Sequence, residues 1–436
     1  MSDLKQLARQ IFHQTLAAID IPAAMQRKLE LQGSVLSLET GEVDLARFAS
    51  VLVVSIGKAA HAMVEGLAAL LPPSISFDGV VVAPTPPARP IKRIAYFVGG
   101  HPTPTAESWK AAEVILRFLQ ACDEKTLVFF LLSGGGSALV ELPLHSAHTL
   151  ADVQQLNKAL VTCGAPIDAM NTVRKHFSAF KGGRLAVAAG PATKITIAVS
   201  DVPAGKESAL ASGPTLPDPT TVADTLRVLD EFQLREKLPA SVLRCLDDGL
   251  IPETPKPAHP AFANAHFQLL LGLDDLFHPA HHAAEGKGFI VCCDNVTDDW
   301  PVERAADYLL DQLEALREAN PKQRVAVIAD GEVSSPVTGK GVGGRNAAFV
   351  LACVKRIDEK KIAVLSAGTD GVDGNSPAAG AVADGETLER GKAIGLNARF
   401  MFRESDSYSY FARLGDTIVT GPTGNNLRDL RILLAE

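Results

Sequence analysis

Leu127-Val-Phe-Phe-Leu-Leu-Ser-Gly-Gly-Gly-Ser-Ala138 is the stretch whose reading decides the fold. Six apolar residues, enough for a buried strand, run without interruption into Ser133-Gly134-Gly135-Gly136-Ser137. Three consecutive glycines remove every Cβ, so the backbone there can take positive φ and approach another molecule closely. Successive N–H groups in such a turn converge into an anion-binding nest, and two serines add hydroxyl donors. A helix starting near Ala138 would point its positive end at the same spot. The same stretch also fits a plain tight turn from strand to helix, so its weight depends on how the other strands end.

They end alike. Val51–Ile56 is a strand-like run closed by Gly57-Lys58 and followed by a helical pattern over 59–71. A lysine at a helix start opposes the helix dipole, which favours a ligand-binding reason for Lys58. Val80–Ala83 stops at a cluster of prolines, and Ala95–Val98 runs into Gly99-Gly-His-Pro-Thr-Pro104, where His101 reads as a base or as a hydrogen-bonded loop residue. Lys194–Val199 ends at Ser200-Asp201-Val202-Pro203, Val325–Ala329 at Asp330-Gly331-Glu332, and Ile362–Leu365 at Ser366–Asp373. The acids Asp370 and Asp373 in that last turn suit a hard cation or structural Asx turns equally. Thr417–Val419, the last clear apolar run, closes at Thr420–Asn426.

Strands alternating with helical segments predict an α/β fold with largely parallel pairing. In such sheets ligands bind beyond the carboxyl ends of the strands. One polar loop in that position means little; six in succession describe a site. Residues 2–31 read as two helices broken at Pro22, and Ala261–Asn264 is expected to lead into an apolar helix. The Pro-rich tract 252–260 is the strongest linker signal, which places domains at 1–250 and 251–436.

Composition narrows the function classes. The chain of 436 residues has 47% apolar residues and a formal net charge of −8, with no Lys/Arg-rich run, so nucleic-acid binding is not expected. No segment approaches a transmembrane length, and the six cysteines lack zinc spacing, which together predict a cytoplasmic protein with reduced thiols. An anionic ligand must then be captured by placed cations. Arg174, Lys181 and Arg184 fall at helical offsets and fit a solvated basic face as well as an anion site. Gly339–Asn346, with Lys340, Gly343, Gly344 and Arg345, reads as a flexible basic loop at a helix start; arginine's planar fork suits phosphate or carboxylate. Gly-rich nests, loop cations and strand-end aspartates are what phosphoryl transfer needs. GxxxxGK[ST] is absent, and no GxGxxG follows the first strand, which weakens a dinucleotide-dependent reading.

The motifs as a set resemble the type II glycerate 2-kinases, the MOFRL-domain family sometimes labelled hydroxypyruvate reductases. The resemblance rests on Gly99–Pro104, Leu132–Leu139, Asn171–His176, Lys181–Ala186, Ser200–Pro203, Ala211–Thr215, Gly341–Asn346, Gly368–Gly371, Asp406–Ser409 and Thr420–Gly424, in order along the chain. It implies ATP- and Mg²⁺-dependent phosphorylation of D-glycerate at its 2-hydroxyl. It also implies a larger Rossmann-like N-terminal domain and a smaller α/β C-terminal one carrying the MOFRL region, with the active site in the cleft between them. Lys58 and Arg345 match the family's essential cations and are assigned to charge on the transferring phosphoryl group. Asp201 is assigned as a catalytic acid/base, and Asp201 with Asp370 as Mg²⁺ ligands. Substrate and nucleotide contacts are expected from Ser133, Gly134, Gly135, Gly136, Ser137, Arg174, Asn264, Glu332, Gly343, Gly344, Thr369 and Asp373.

This chain departs from the family at three places. Ala347-Ala348 stand where many relatives have Gln-Glu, Ala204-Gly-Lys-Glu207 where acids commonly follow, and Asn375-Ser-Pro377 at a frequent acidic position. Partners are then expected to be D-glycerate and ATP, without nucleic acid or membrane, with a homodimer as the candidate assembly. The rival readings are an NAD(P)H-dependent reductase of hydroxypyruvate or tartronate semialdehyde, and a non-catalytic sensor of small hydroxy acids.

Overall fold

The computed structural model describes residues 4–202 and 205–436. Pro203 of the Ser200–Pro203 motif, and Ala204, lie outside the described residues. The chain divides into two compact units, Ile21–Gly272 and a second made of the segment up to Asp20 together with Leu273–Glu436.

The first unit opens with a three-stranded antiparallel meander, β1 Glu30–Gln32, β2 Val35–Leu38 and β3 Gly41–Asp44, which the sequence pattern did not announce. Six strands come after it: β4 Ser50–Ile56, β5 Phe77–Ala83, β6 Ile94–Val98, β7 Thr126–Leu132, β8 Thr193–Val199 and β9 Ala265–Leu271. They form one sheet in the order β6-β5-β4-β7-β8-β9, every pair parallel. Parallel sheets are covered on both faces, and all seven residues of β7 are buried accordingly. The chain builds outward from β4 to β6, then returns to the other side of β4 with β7. The strand order therefore reverses between β4 and β7, where a crevice opens at the carboxyl edge.

Residues 261–264 lead into β9, not into the expected apolar helix. A seven-residue run fits a strand better than a helix, and pairing with β8 supplies its backbone partners. The Pro-rich tract is docked against the rest of its unit. Thr254 is buried, and the carbonyl of Pro255 accepts from the Asp218 N–H, so the prolines stiffen a docked connection. The division falls after Gly272.

The second unit holds β10 Phe289–Cys293, β11 Arg324–Asp330, β12 Ile362–Gly368, β13 Gly380–Asp384, β14 Thr417–Ile418 and β15 Asp429–Ala435, ordered β10-β11-β15-β12-β13-β14. Only β10 and β11 pair in parallel. The other four pairings are antiparallel, which corrects the parallel expectation for this half. The central strand is β15, wholly buried and missed in the sequence because Asp429 and Arg431 interrupt its apolar run. Because β15 runs against both β11 and β12, its first residue lies level with their last ones: Leu430 pairs with Asp330, and Asp429 with Gly368. The N-terminal helix Leu4–Ala18 packs on β12, β13 and β15, so both chain ends belong to this unit. No described helix is long and apolar enough to cross a membrane.

Candidate functional site

The crevice between β4 and β7 is built by interlocked turns. The Ser133 N–H donates to the Ile56 carbonyl, Lys58 N–H to the Gly134 carbonyl, and Ala59 N–H to the Ser133 hydroxyl, each at 3.0 Å. Gly57 has φ +134°, and a Cβ there would lie 2.0 Å from Ser133 Oγ, so only glycine lets the two loops meet. Ser133 is therefore a buried structural hydroxyl. The run Gly134–Ser137 follows it, with Gly135 and Ser137 half-buried. Among the described residues, none of the backbone N–H groups of Gly134, Gly135, Gly136 and Ser137 enters a hydrogen bond. Gly135 takes φ +83°, and a Cβ on it would touch Lys58 Cγ and His101 Cδ2, both at 3.3 Å. Four consecutive open amides with a lysine and a histidine beside them make an anion nest. Burial, and then the charge of Lys58, lowers the His101 pKa, so the ring is neutral near pH 7.

Behind the nest, Ser137 Oγ and Ser212 Oγ share a hydrogen bond of 2.7 Å, Ser212 Oγ donates to Asn171 Oδ1, and Arg174 Nη1 reaches the same oxygen at 3.4 Å. Arg174 is thus tied to the nest through two side chains. Ala211, Ser212 and Gly213 all have positive φ, a strained run that brings Ala211 against Gly136. Asp201 comes just after β8, the neighbour of β7, so it shares this carboxyl edge with Lys58 and the nest. Asn264 does not: it is exposed at the start of β9, on the amino edge, a strand length of about 20 Å away.

The basic face expected at 174–184 is not solvated. Lys175 pairs with Asp218 at 3.1 Å, and Lys181 pairs with Glu141; all four side chains are buried. Burial lowers the Lys181 pKa while Glu141 opposes it.

In the second unit, Arg345 begins the helix Arg345–Cys353. Its Nε and Nη2 donate to Asp429 at 2.5 and 3.3 Å, and its Nη1 donates to Glu332 at 2.7 Å. Burial works against its charge, but Asp429 and then Glu332 outweigh that and raise its pKa. Asp429 is the residue that sequence reasoning missed here; the acid interrupting an apolar run was the available signal. The loop before the helix is pinned, not flexible: Gly341 N–H bonds to the Glu404 carbonyl, Val342 N–H to Asp406, and Gly343 N–H to Asn375. A Cβ at Gly343 or Gly344 would collide with Ser407 or Asp373, so these glycines serve close packing. Asp373 accepts from the N–H groups of Asn346 and Ala347 at 2.9 and 2.8 Å, occupying the helix N-terminus itself. Burial lifts its pKa to about 6 against those two bonds.

Thr369 is buried, its hydroxyl accepting from Leu427 N–H and its carbonyl from Thr423, which makes it a loop brace. Asp370 Oδ1 accepts from Val372 N–H in an Asx turn. A Cβ on Gly368 would lie 3.1 Å from Asp370 Oδ1 and 3.3 Å from Asp429 Oδ1, so two carboxylates flank one small space. Glu332 is aimed by its neighbours: Asp298 accepts its N–H at 2.8 Å and bridges Arg428, while buried Arg431 donates to the carbonyls of Asp330 and Gly331. Asp330 is buried with both carboxyl oxygens lacking a hydrogen-bond partner, and burial raises its pKa to about 6 despite Arg428 and Arg431. No group of three or more His, Cys, Asp or Glu able to hold a metal occurs among the described residues.

Residues 7–247 match the model of a domain of unknown function, DUF4147, and residues 325–429 match the MOFRL family. The D-glycerate 2-kinase of Thermotoga maritima is 32% identical over 432 residues, 98% of each chain. An Agrobacterium vitis protein carrying a hydroxypyruvate reductase label is 36% identical over 388 residues, 88% of this chain and 86% of that one. The crystal structure of a glycerate kinase from Thermotoga maritima superposes with a TM-score of 0.85 at 32% identity, covering 100% of both chains. The chain belongs to the type II glycerate 2-kinase family, in which a DUF4147 domain precedes a MOFRL region.

Proposed function

We propose that this chain transfers the γ-phosphoryl group of ATP to the 2-hydroxyl of D-glycerate, giving 2-phosphoglycerate and ADP. The observation that carries the chemistry is the row of open amides over Gly134–Ser137 beside Lys58, at the point where strand order reverses. The substrate comes from full-length similarity to a protein named D-glycerate 2-kinase. In this reading the nest and Lys58 hold an anionic oxygen, and Arg345 stabilises charge on the phosphoryl group in transit. Asp429 and Glu332 keep the guanidinium plane fixed, which lowers the reorganisation needed at the transition state. Asp201 accepts the proton of the attacking hydroxyl, as the bond from phosphorus to the β–γ bridging oxygen breaks.

Mg²⁺ is part of the proposal. Its preferred protein donors are one or two carboxylates, with phosphates and water completing the shell. Asp370 offers one such carboxylate in the turn after β12, and Asp201 is the corresponding acid of the first unit. When bound, the ion supplies charge neutralisation on the phosphates.

The test monitors ADP release from purified protein given ATP, Mg²⁺ and D-glycerate, with enolase added to consume 2-phosphoglycerate. Turnover with an enolase-competent product, abolished in Lys58→Ala and Arg345→Ala, is expected. NADH oxidation with hydroxypyruvate and no ADP release would replace the kinase by the reductase.

A further inference from the structure

A cavity of about 560 Å³ lies wholly within the second unit, inside the range of roughly 300–1,000 Å³ that small-molecule sites occupy. Its lining includes Gly343, Gly344 and Ala348, and Arg399, Phe402 and Arg403 of the helix Ala398–Arg403. Two features set it apart from an ordinary surface hollow.

The first is a pair of unneutralised charges. Arg399 and Arg403 both line the cavity, one helical turn apart, and among the described residues neither guanidinium enters a hydrogen bond or an ion pair. By contrast Arg345, Arg356, Arg390 and Arg431 all donate to carboxylates or carbonyls. Like charges four residues apart destabilise a helix, so the pair carries a cost that an anion facing both would remove. Glu303 is the single carboxylate on the lining, leaving the charge positive. The second feature is apolar surface beside those charges. Val337 is 84% exposed, and Phe402, half-buried against the core, also lines the cavity on the same helix as the arginines. A ligand matching both features has a planar apolar body and several negative charges.

We infer that this cavity seats the nucleoside triphosphate, with Arg399 and Arg403 on its phosphates and Phe402 and Val337 against its base. The inference rests on the kinase reading and adds the nucleotide's place within the second unit. Gly343-Gly344, on the cavity lining, immediately precede Arg345 in the chain, while the Arg345 guanidinium itself is held by Asp429 and Glu332.

The experiment is calorimetric titration of the full chain with ATP, adenosine and inorganic triphosphate, without D-glycerate. Wild type is compared with Arg399→Ala, Arg403→Ala, the double variant and Val337→Glu, each checked for an unchanged thermal transition. Each lost guanidinium should weaken ATP and triphosphate about tenfold, the cost of one charge-assisted contact, and leave adenosine unaffected. Val337→Glu, at an exposed position that does not threaten folding, should weaken ATP by placing a carboxylate in the cavity. A folded double variant that binds ATP like wild type and still phosphorylates D-glycerate overturns the placement and leaves the kinase standing. Wild type that binds no ATP with Mg²⁺ present overturns the placement, and ADP release with D-glycerate decides the kinase reading separately.

Discussion

Asp330→Asn tests the electrostatics of the second unit without touching its packing. Asp330 ends β11, buried, with neither carboxyl oxygen hydrogen-bonded. Its pKa stands at about 6 against an ordinary 3.8, because burial outweighs Arg428 and Arg431. The native state therefore binds more protons than the unfolded chain between those values, and stability falls as pH rises through that window. The full penalty, reached above the folded pKa, is about 3 kcal/mol, and about half of it has accumulated by pH 5. Asparagine is the neutral isostere and escapes the penalty while keeping the same unpartnered shape. Urea unfolding at pH 5, 6, 7 and 8 should show the variant more stable than wild type by up to about 3 kcal/mol at pH 8, with the gap halved at pH 5. A gap that does not change with pH, or a variant less stable at pH 8, would mean that Asp330 is a satisfied counter-ion of Arg431 and that the reasoning is wrong.

Gly57→Ala should destabilise the first unit by at least about 2 kcal/mol, since positive φ and the 2.0 Å approach to Ser133 Oγ act together, and it should abolish turnover in the same urea and ADP-release measurements. Glu141→Gln should cost about 3–5 kcal/mol in urea unfolding because it leaves Lys181 charged and unpaired in the interior, whereas Glu141→Leu with Lys181→Met should recover most of the loss. A double variant no more stable than the single would show that the pair is required for the fold itself.

Much of the first unit could be read from the sequence, because a parallel sheet buries both faces and each strand is then a continuous apolar run. Leu127–Leu132 is such a run, and β4, β5 and β8 stand out for the same reason. The second unit hid its central strand. Asp429 and Arg431 are buried on β15 where one expects apolar residues, and they are tolerated because Arg345 and the carbonyls of Asp330 and Gly331 satisfy them. A strand whose charges are offset by tertiary partners does not look like a strand until those partners are known. The Pro-rich tract 252–260 carries a related lesson: proline density marks rigidity, and here it stiffens a segment docked through Thr254 and Pro255.

The two Gly-rich loops show how far composition carries a site. Ser133–Ser137 and Gly339–Asn346 look alike as strings, each glycine-rich, each before a helix, each near a cation. In the first, the N–H groups of Gly134–Ser137 enter no hydrogen bond. In the second, Asp406, Asn375 and Asp373 already take the N–H groups of Val342, Gly343, Asn346 and Ala347, and glycine serves the approach of the chain to itself. The decisive acceptors lie 26 to 64 residues further along, outside any local window. The loops therefore act differently. The first leaves its backbone donors unused, while the second spends its own on holding the loop that carries Arg345. The cation beside the first loop is Lys58, a lysine on a flexible stem from the neighbouring turn, and the cation in the second is an arginine whose planar fork is clamped by two carboxylates. Unbonded amides beside a mobile lysine suit the capture of an anion, whereas a clamped guanidinium suits charge held at one fixed point.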